Sequence, residues 1–388
     1  MPVNLKDVAV SAGVSVKTVS NVVNDRPYVR SDTRARVQAV IDAMGYRPNL
    51  PARQLRTGRS GLIALAVPEI DVPYFAELAG KIVRAAERRG WTVLIDMTGG
   101  ERSRERRSAA GFPGDLVDGT IASPLSMTAR EVAAVSKGHP LVLLGEKLAH
   151  AGSSHVGVDS VAAAADATRH LISLDRRRIA AIGAADEATG TAALRLRGYQ
   201  QAMAEAGRRP QSELIGAGGL YHREDGFRAM NAMLDGPVRP DAVFCFNDLL
   251  ALGAIRALHC HGLDVPRDVA VVGFDDIEDG RYNTPSLTTI APDKDALAEA
   301  AVRLLGLRMD GASGAGQSEI RAPHHLVVRE SSVAPLSPSG RGRLAAARLG
   351  PAGARAGALG LDAARAGGRA AGNRSPGGGA DRRGGGDR

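Results

Sequence analysis

The first sixty residues carry apolar side chains at intervals of three and four residues, in three short groups. The groups are Leu5, Val8, Ala9 and Ala12, then Val14, Val19, Val22 and Val23, then Val37, Val40, Ile41 and Met44. This spacing predicts three short helices. Ser15 and Ser31 are the expected N-caps of the second and third helices. Gly13 suits the turn between the first two helices, and Gly45 suits the end of the third.

From Gly61 the pattern changes to short β-rich runs that alternate with alanine-rich helical stretches. The predicted strands are 62–67, 92–95, 119–122, 141–144, 179–182, 242–246 and 269–274. Such alternation is typical of a mostly parallel sheet with crossover helices. It occurs twice, over about 62–160 and about 178–290, so we predict an α/β core of two doubly wound lobes. A ligand would bind where strand ends of both lobes face a shared cleft.

Beyond Leu336 the chain consists mainly of Gly, Ala, Arg, Ser and Pro, with no aromatic residue and no sustained periodicity. Such a segment cannot bury enough apolar surface to offset the entropy lost on ordering, so we predict a disordered tail over 337–388. Its arginines could contact nucleic acid nonspecifically. A dispensable extension, or a product of shifted translation, is the favoured interpretation.

Composition narrows the class of protein. The chain has 388 residues, enough for two or three domains, and 44% of them are hydrophobic. No apolar run approaches the ~18 residues that a membrane helix needs. The first residues form no charged-then-apolar leader, so the sequence indicates a soluble, cytoplasmic protein with no membrane partner. Cys245 and Cys260 lie in apolar sequence and are expected to be reduced and buried.

The formal charge of +8 is distributed unevenly along the chain. Residues 1–60 hold ten Lys and Arg against four Asp, and residues 337–388 hold ten Arg against three Asp, so the middle of the chain is acidic. A basic head on an acidic body is the distribution expected for a nucleic-acid contact at one end. Charge alone does not separate this from a merely soluble terminus, so a motif in the head must decide.

The segment from Leu5 to Asn24 has the spacing of a helix-turn-helix. Ala9 is small enough for the two helices to cross closely, and Gly13 permits the tight turn between them. The second helix would then offer the residues near its N-terminus to base edges in a major groove. A solvated three-helix bundle without a DNA role would produce the same apolar spacing.

The same segment closely resembles the head of the LacI/GalR (lactose-repressor) family of transcription factors. The family head reads Leu-x-Asp-Val-Ala-x-x-Ala-Gly-Val-Ser-x-x-Thr-Val-Ser-x-Val-Val-Asn, and residues 5–24 meet every fixed position. The match continues at 33–34, 45–49 and 52–56. The motif is long and specific, so the resemblance decides between a DNA-binding head and a plain helical bundle.

The resemblance implies a division of the chain into four parts. These are an all-α helix-turn-helix domain over 1–47, a hinge helix and linker over 48–60, a ligand-binding and dimerisation core over 61–336, and the tail over 337–388. The core is expected to share the two-lobe fold of periplasmic sugar-binding proteins.

The resemblance also assigns roles in the head. The base-reading residues would be Val16, Lys17 and Asn21, and the phosphate contacts would be Thr18, Ser20, Asn24, Thr33, Arg53 and Arg56. Lys17 can donate to guanine O6 and N7, and Asn21 can pair with adenine, although either could contact only the DNA backbone.

Residues 48–58 resemble the family's hinge helix, which forms on the operator and inserts a leucine, here Leu55, into the minor groove. Pro51 suits a first helical turn and Gly58 suits a stop, and the stretch between them is too short to be stable alone. Pro51 stands where the family usually has alanine, and this replacement would make the helix start one residue later. The alternative is a plain basic linker.

The resemblance further implies an effector site between the core lobes. Its residues would be Tyr74, Phe75, Ser123, Glu146, Thr191, Arg195, Tyr221, Asn247 and Asp275. An Arg, an Asn and an Asp in one cleft suit neighbouring hydroxyl groups, which favours a sugar or a sugar-like polyol. Structural alternatives stay open: Asp248 as a helix N-cap, Asp276 as a cap or ion-pair partner, and Arg195 in a lobe-bridging salt bridge.

Residues 101–114 depart from the family, whose members carry an amphipathic helix there. Glu101 to Arg107 is almost wholly charged and 109–114 contains helix breakers, so we expect a looser outer face on the first lobe. The run His259-Cys260-His261 is not predicted to hold a metal, because a helix would point its two histidines in different directions. No cofactor motif and no nucleophile with a partnered base is visible, so no cofactor and no enzymatic activity are predicted.

These features predict a sequence-specific DNA-binding transcriptional regulator, a homodimeric repressor of carbohydrate-utilisation genes that binds double-stranded operator DNA. A sugar-like effector would shift the population of lobe arrangements, and the lobe arrangement would set the order of the hinge. Induction is favoured over co-repression. The alternatives are a regulator that activates some promoters, a sugar-binding transport component and a cleft enzyme. The head and the absent leader disfavour the transport component.

Overall fold

The structure, a computed structural model, describes residues 3–23, 26–46, 58–114, 116–145, 152–185, 190–311 and 318–334. The helices in these ranges are α1 (Leu5–Ala12), α2 (Val16–Val23), α3 (Ser31–Met44), α4 (Pro73–Glu87), α5 (Arg102–Ala109), α6 (Ala129–Val135), α7 (Ser160–Ser173), α8 (Thr191–Glu205), α9 (Arg223–Leu234), α10 (Asp248–Cys260), α11 (Glu278–Tyr282) and α12 (Lys294–Met309). The strands are β1 (Leu62–Val67), β2 (Thr92–Met97), β3 (Gly119–Ala122), β4 (Leu141–Leu144), β5 (Ser154–Val158), β6 (Ile179–Ala184), β7 (Ile215–Ala217), β8 (Ala242–Cys245), β9 (Ala270–Phe274), β10 (Thr288–Pro292), β11 (Glu319–Ala322) and β12 (His324–Val327).

The head is the predicted three-helix unit, packed around a small apolar core that includes Val8, Val19 and Val37. Ser15 caps α2 as predicted, because its Oγ accepts the backbone N–H of Thr18 at 3.1 Å. Gly13 and Gly45 end α1 and α3 with left-handed backbones, at φ values of 62° and 60°.

The prediction that Ser31 caps α3 is wrong. Ser31 is already the first helical residue, and Arg30 occupies the N-cap with an extended backbone and no side-chain hydrogen bond to the helix. The helix therefore begins one residue earlier than an Ser31 cap would allow, and its first turn lacks a side-chain cap at this position.

The core contains the two predicted lobes, each built on a six-stranded sheet. The sheet of lobe 1 has the order β11-β5-β4-β3-β1-β2, and the sheet of lobe 2 has the order β12-β10-β9-β8-β6-β7. Among the described pairings, only that of β10 with β12 is antiparallel. Central strands such as β9 are buried along their whole length, because helices cover both faces of a doubly wound sheet.

The two lobes are not simply successive halves of the chain. The chain passes from lobe 1 to lobe 2 after β5, returns after β10, and passes to lobe 2 again between β11 and β12. All three crossovers leave strands that lie together at one edge of each sheet. A hinge between the lobes is therefore expected at this edge.

Residues 101–114, where a departure from the family pattern was expected to loosen the outer face of the first lobe, contain the helix α5 (Arg102–Ala109). Glu105 in this helix is 3% exposed, and its carboxylate accepts the backbone N–H groups of Leu125 at 2.6 Å and of Ser126 and Met127 at 2.9 Å each. Glu105 therefore ties this charged helix to the loop that follows β3 through three charge-assisted hydrogen bonds.

The cysteines differ in environment. Cys245 is buried, as predicted, and burial raises the pKa of its thiol far above the ordinary range. Cys260 is exposed, so the prediction that both thiols are buried is wrong for this residue. It is the last residue of α10, where the helix emerges from the core.

In the described part of the chain, no helix has the length and apolar character that a membrane crossing requires.

Candidate DNA-binding surface and effector cleft

The second helix of the head turns a polar face outward. Val19 and Val22 are buried against the rest of the head, while Val16 is 42% exposed and Lys17 is exposed beside it. Asn21 is partly buried and follows Lys17 by four residues, so both lie on the same side of α2. The three predicted base-reading residues therefore share one surface at and after the N-terminus of α2.

Tyr28 belongs to the same surface, although the sequence analysis did not single it out. Its side chain is 70% exposed, and its hydroxyl donates to Asn21 Oδ1 across 3.3 Å. This oxygen is the acceptor that a bidentate pair with adenine would use. The hydrogen bond from Tyr28 therefore constrains the orientation of the Asn21 amide.

The predicted phosphate contacts are only partly within the described residues. Thr18 Oγ1 lies 2.9 Å from Ser15 Oγ, and the backbone N–H of Thr33 donates to Asp32 Oδ1 at 2.7 Å. Ser20 and Thr33 are partly buried. Residues 48–57 of the predicted hinge and the whole predicted tail, 337–388, lie outside the described residues. So do five predicted site residues, namely Asn24, Arg53, Leu55, Arg56 and Glu146.

Arg195 is the most constrained of the predicted effector residues. It lies on α8, is 9% exposed, and its guanidinium carbon is 3.5 Å from the centre of the Phe274 ring. One guanidinium nitrogen donates to the carbonyl of Phe246, and Nε is buried without a hydrogen-bond partner among the described residues. These contacts lie within lobe 2, so they are not the lobe-bridging salt bridge considered as an alternative.

Asn247 and Tyr221 are joined to each other next to this guanidinium. Asn247 Oδ1 caps α10 by accepting the N–H of Leu250 at 2.8 Å, and Asn247 Nδ2 donates to the carbonyl of Tyr221 at 3.0 Å. The Tyr221 hydroxyl donates to the carbonyl of Gly183 at 2.6 Å. Burial raises the pKa of Tyr221 to about 12, so the phenol stays protonated. The tyrosine ring is therefore held at both ends.

The segment after β9 carries strained backbone. Asp275 has φ of 120° and Asp276 has φ of 49°, values that non-glycine residues adopt only when surrounding contacts impose them. Asp275 is 8% exposed. Asp276 bonds to Arg329 at 2.6 Å and to Arg281 at 2.7 Å. Burial opposes ionisation of Asp276, but these two hydrogen bonds prevail and lower its pKa. The ion-pair interpretation of Asp276 is confirmed.

Asp248 is not the helix cap, so that interpretation is wrong; Asn247 takes the role, and Asp248 is the first helical residue. Its carboxylate is 1% exposed and accepts from Thr289 Oγ1 at 2.6 Å and from the backbone N–H of Ile277 at 2.9 Å. Burial, with the neighbouring carboxylate of Asp275, raises its pKa well above the ordinary value. Asp248 thus anchors the far end of the strained segment.

The predicted effector residues of lobe 1 lie at the carboxyl ends of its strands. Tyr74 and Phe75 open α4 after β1, with their rings edge to face and 5.4 Å apart. Ser123 follows β3, and its N–H donates to the carbonyl of Ala66 at 2.9 Å. Thr191, in lobe 2, is the first residue of α8. Ligands of open α/β sheets bind at this end of the strands.

Comparison with known proteins decides the family. Residues 4–49 match the model of bacterial regulatory proteins of the lacI family, and residues 168–332 match that of a periplasmic binding protein-like domain. The Ribose operon repressor of Escherichia coli (strain K12) is 34% identical over 304 residues, which is 78% of this chain and 91% of that protein. This chain belongs to the LacI family. It is a DNA-binding transcriptional regulator, as the head motif predicts.

Solved structures agree with the fold of this LacI-family chain. The lac repressor dimer bound to operator and the anti-inducer ONPF is 29% identical, with a TM-score of 0.73 over 86% of this chain and 100% of that one. The complex of the transcriptional regulator CelR with cellobiose is also 29% identical, with a TM-score of 0.63 over 85% of this chain and 100% of that one. The predicted resemblance to the family and to its two-lobe core is confirmed.

The LacI-family core has charged contacts between α4 and the strained segment. Glu77 accepts the N–H of Glu278 at 2.9 Å and is ion-paired with Lys294, whose Nζ also donates to the carbonyl of Asp276 at 3.1 Å.

The sequence run around Cys260 does not form part of a metal-binding cluster. Through the described ranges of the chain, no group of three His, Cys, Asp or Glu side chains is arranged to hold a metal ion. His259 precedes Cys260, the last residue of α10, and His261 follows the helix.

Proposed function

We propose that this LacI-family chain is a repressor whose affinity for operator DNA is controlled by a sugar-like effector bound between the lobes. The observation that carries the proposal is the buried guanidinium of Arg195, whose Nε has no partner in the described part of the chain. A buried, unpaired donor costs free energy that a bound ligand can recover. A guanidinium can bond two adjacent hydroxyl groups at once, which suits a saccharide.

The neighbouring groups support the same ligand class. The carboxylate of Asp275 accepts hydroxyl donors, and the held ring of Tyr221 offers an apolar face to the C–H groups of a sugar. The ring faces of Tyr74 and Phe75 would add an apolar wall from lobe 1. Relatives whose names mention ribose and cellobiose support a saccharide effector.

The proposal extends to assembly and location. We infer a homodimer on a pseudo-palindromic operator, since the lac repressor structure is a dimer on its operator. The proposed division is a head over 1–47, a hinge over 48–60, a core over 61–336 and a tail over 337–388. The protein would act in the cytoplasm as a regulator and not as an enzyme. Effector binding would favour one lobe arrangement and release the operator, which is induction.

A screen of saccharides against the full-length chain tests the function. We expect at least one sugar, with D-ribose and cellobiose among the first to be tried, to raise the melting temperature. A ligand at 100 times its Kd adds about 2.7 kcal/mol, which is roughly 5–10 °C for a core of this size. The same sugar should then change binding to a duplex selected from random DNA. Stabilisation by nucleobases or amino acids alone would contradict the saccharide proposal, and the absence of any selected duplex would contradict specific DNA binding.

Lys17→Ala is expected to change which operator sequences are preferred, because an exposed lysine near the N-terminus of α2 can donate to guanine. The loss should fall on one base pair in each half-site, by about 1–3 kcal/mol or roughly 5–150-fold. Binding of a panel of single-base operator variants measures it. Lys6→Ala, at an exposed lysine of α1, is the matched control. Equal weakening on every duplex would instead make Lys17 a phosphate contact.

A further inference from the structure

Among the described residues, a side-chain contact joins the lobes at the edge of the cleft opposite the three crossovers. His222 Nε2 and Glu69 Oε2 are 2.8 Å apart. Glu69 lies two residues after β1 in lobe 1, and His222 immediately precedes α9 in lobe 2. Neither residue belongs to the sets that the sequence analysis singled out.

The topology places this pair opposite the three crossovers. The crossovers leave β5, β10 and β11, which lie at one edge of each sheet. Glu69 follows β1, which is next to the opposite edge of lobe 1, and His222 follows β7, which is the opposite edge strand of lobe 2. When two lobes rotate about a hinge, contacts farthest from the hinge separate most. The Glu69–His222 pair is therefore broken early in any opening of the cleft.

The backbone on both sides of the pair is held in place. The N–H of His222 donates to Asp225 Oδ2 at 3.0 Å, and the same oxygen accepts the N–H of Leu220 at 3.0 Å. On the other lobe, the carbonyl of Pro68 accepts the N–H of Gly99 at 2.8 Å. His222 also directly follows Tyr221, one of the proposed effector residues. The pair therefore lies next to the proposed effector site in the chain.

We propose that Glu69 and His222 are positioning residues that hold the two lobes together on the open side of the effector cleft. The proposal rests on the proposed function in that the effector binds between the lobes. The side chains are 40% and 34% exposed, for His222 and Glu69 respectively. A partly exposed ion pair contributes only about 0.2–1 kcal/mol to the stability of the arrangement that it joins. A weak pair suits a cleft that must open and close, because it favours the closed arrangement of the lobes without preventing the open one.

The test measures the distance between the lobes without any ligand or DNA. Spin labels are placed at Arg130→Cys on α6 and Glu224→Cys on α9, in a chain that also carries Cys260→Ser. Both label sites are exposed, and Cys245 is too buried to react. Labelled chain is diluted with unlabelled chain, so that pulsed electron paramagnetic resonance reports distances within one chain. We expect Glu69→Gln and His222→Ala to move the distribution to longer, broader distances.

Matched variants separate the pair from general loss of charge. Glu205→Gln removes a partly exposed partner of Arg169, paired at 2.9 Å between α7 and α8 inside lobe 2, and should leave the distances unchanged. The double variant Glu69→Gln with His222→Ala should resemble either single variant, because one interaction is lost in each. The exchange Glu69→His with His222→Glu should restore the short distances. Unchanged distances in the single variants, or an equal change in Glu205→Gln, would overturn the proposal.

Binding measurements connect the pair to regulation. D-ribose, or the saccharide that the thermal screen selects in its place, should bind Glu69→Gln about 2–5-fold more weakly, the range that an exposed pair allows. The variant Glu69→Gln should also change operator affinity in the absence of sugar. If the sugar weakens operator binding by the wild type, the variant should bind the operator more tightly, and if the sugar strengthens it, the variant should bind more weakly. Altered distances with unchanged sugar affinity would refute the positioning role. A wild-type chain that binds no saccharide would contradict the proposed function, while the distances would still report on the pair.

Discussion

Arg195→Ala is expected to abolish the effector response of this LacI-family chain while leaving operator binding intact. The guanidinium is 9% exposed, stacks on Phe274 and donates to the carbonyl of Phe246, all within lobe 2. Each hydrogen bond from a charged group to a ligand contributes about 1.5–3 kcal/mol. Losing two such bonds lowers sugar affinity by at least about 100-fold. Calorimetry with the selected sugar and anisotropy with the selected duplex measure the two halves of this prediction.

Two further variants test whether the loss of affinity is specific to the guanidinium of Arg195. Arg195→Lys keeps the charge but not the planar fork, so we expect most of the affinity to be lost with the fold retained. Arg197→Ala removes an exposed arginine from the same helix and should leave sugar affinity unchanged. If Arg195→Ala instead lost its circular dichroism signal, the residue would be structural. Wild-type affinity for the sugar would remove Arg195 from the effector site.

The fold was predictable from sequence wherever burial leaves an uninterrupted signal. The strands β1, β3, β4, β8 and β9 are covered on both faces, and their sequences are short apolar runs bounded by turns. The three helices of the head follow from apolar spacing and two glycines. These features depend on residues close together in the chain, and for this reason the local pattern suffices.

Other strands depend on partners that are distant in sequence. In β10, Thr288 is fully buried and bonds to the carbonyl of Arg329 and to Ser332, while Thr289 bonds to Asp248. Read locally, two threonines and a proline do not indicate a buried strand. The polar strand β11, Glu319–Ala322, likewise pairs with β5 more than 150 residues earlier. The sequence pattern therefore shows two lobes but does not show that the chain returns to the first.

Some residues of the candidate site could likewise be recognised from local sequence, whereas others could not. The positions of Asn247 and Asp275 just after strands could be predicted, because both match family motifs at the ends of recognisable strands. The contacts of Glu105, Glu69 and His222 could not be predicted, because each depends on a partner from another segment. A charged residue in a charged run gives no local sign that it is the buried one. Only the packed chain shows which carboxylate is taken out of water.

Asp248→Ala is expected to lower the stability of the core by about 2–4 kcal/mol, which corresponds to roughly 5–15 °C in melting temperature. The change removes the acceptor of the buried N–H of Ile277 and the acceptor of the Thr289 hydroxyl. Among the described residues, that hydroxyl keeps the more distant carbonyl of Ile290, at 3.2 Å, as an acceptor. Asp248→Asn keeps an amide oxygen for Ile277, so we expect a much smaller loss. Urea unfolding followed by circular dichroism measures both, and equal losses would show that the acceptor is not what matters.

The pH dependence of the asparagine variant follows from the raised pKa of Asp248. Because burial raises that pKa above the ordinary 3.8, the folded state prefers the protonated acid, and its contribution is complete only below that ordinary value. The contribution is lost as pH rises through the folded-state pKa. Asparagine does not titrate, so the stability of Asp248→Asn relative to wild type should increase as pH rises from about 4 toward neutrality. Groups far from Asp248 whose pKa is lowered, such as Glu205, act in the opposite direction in both proteins and cancel in the difference. A difference that stays constant with pH would mean that Asp248 is ionised in the folded core, held by its two donors against the cost of burial.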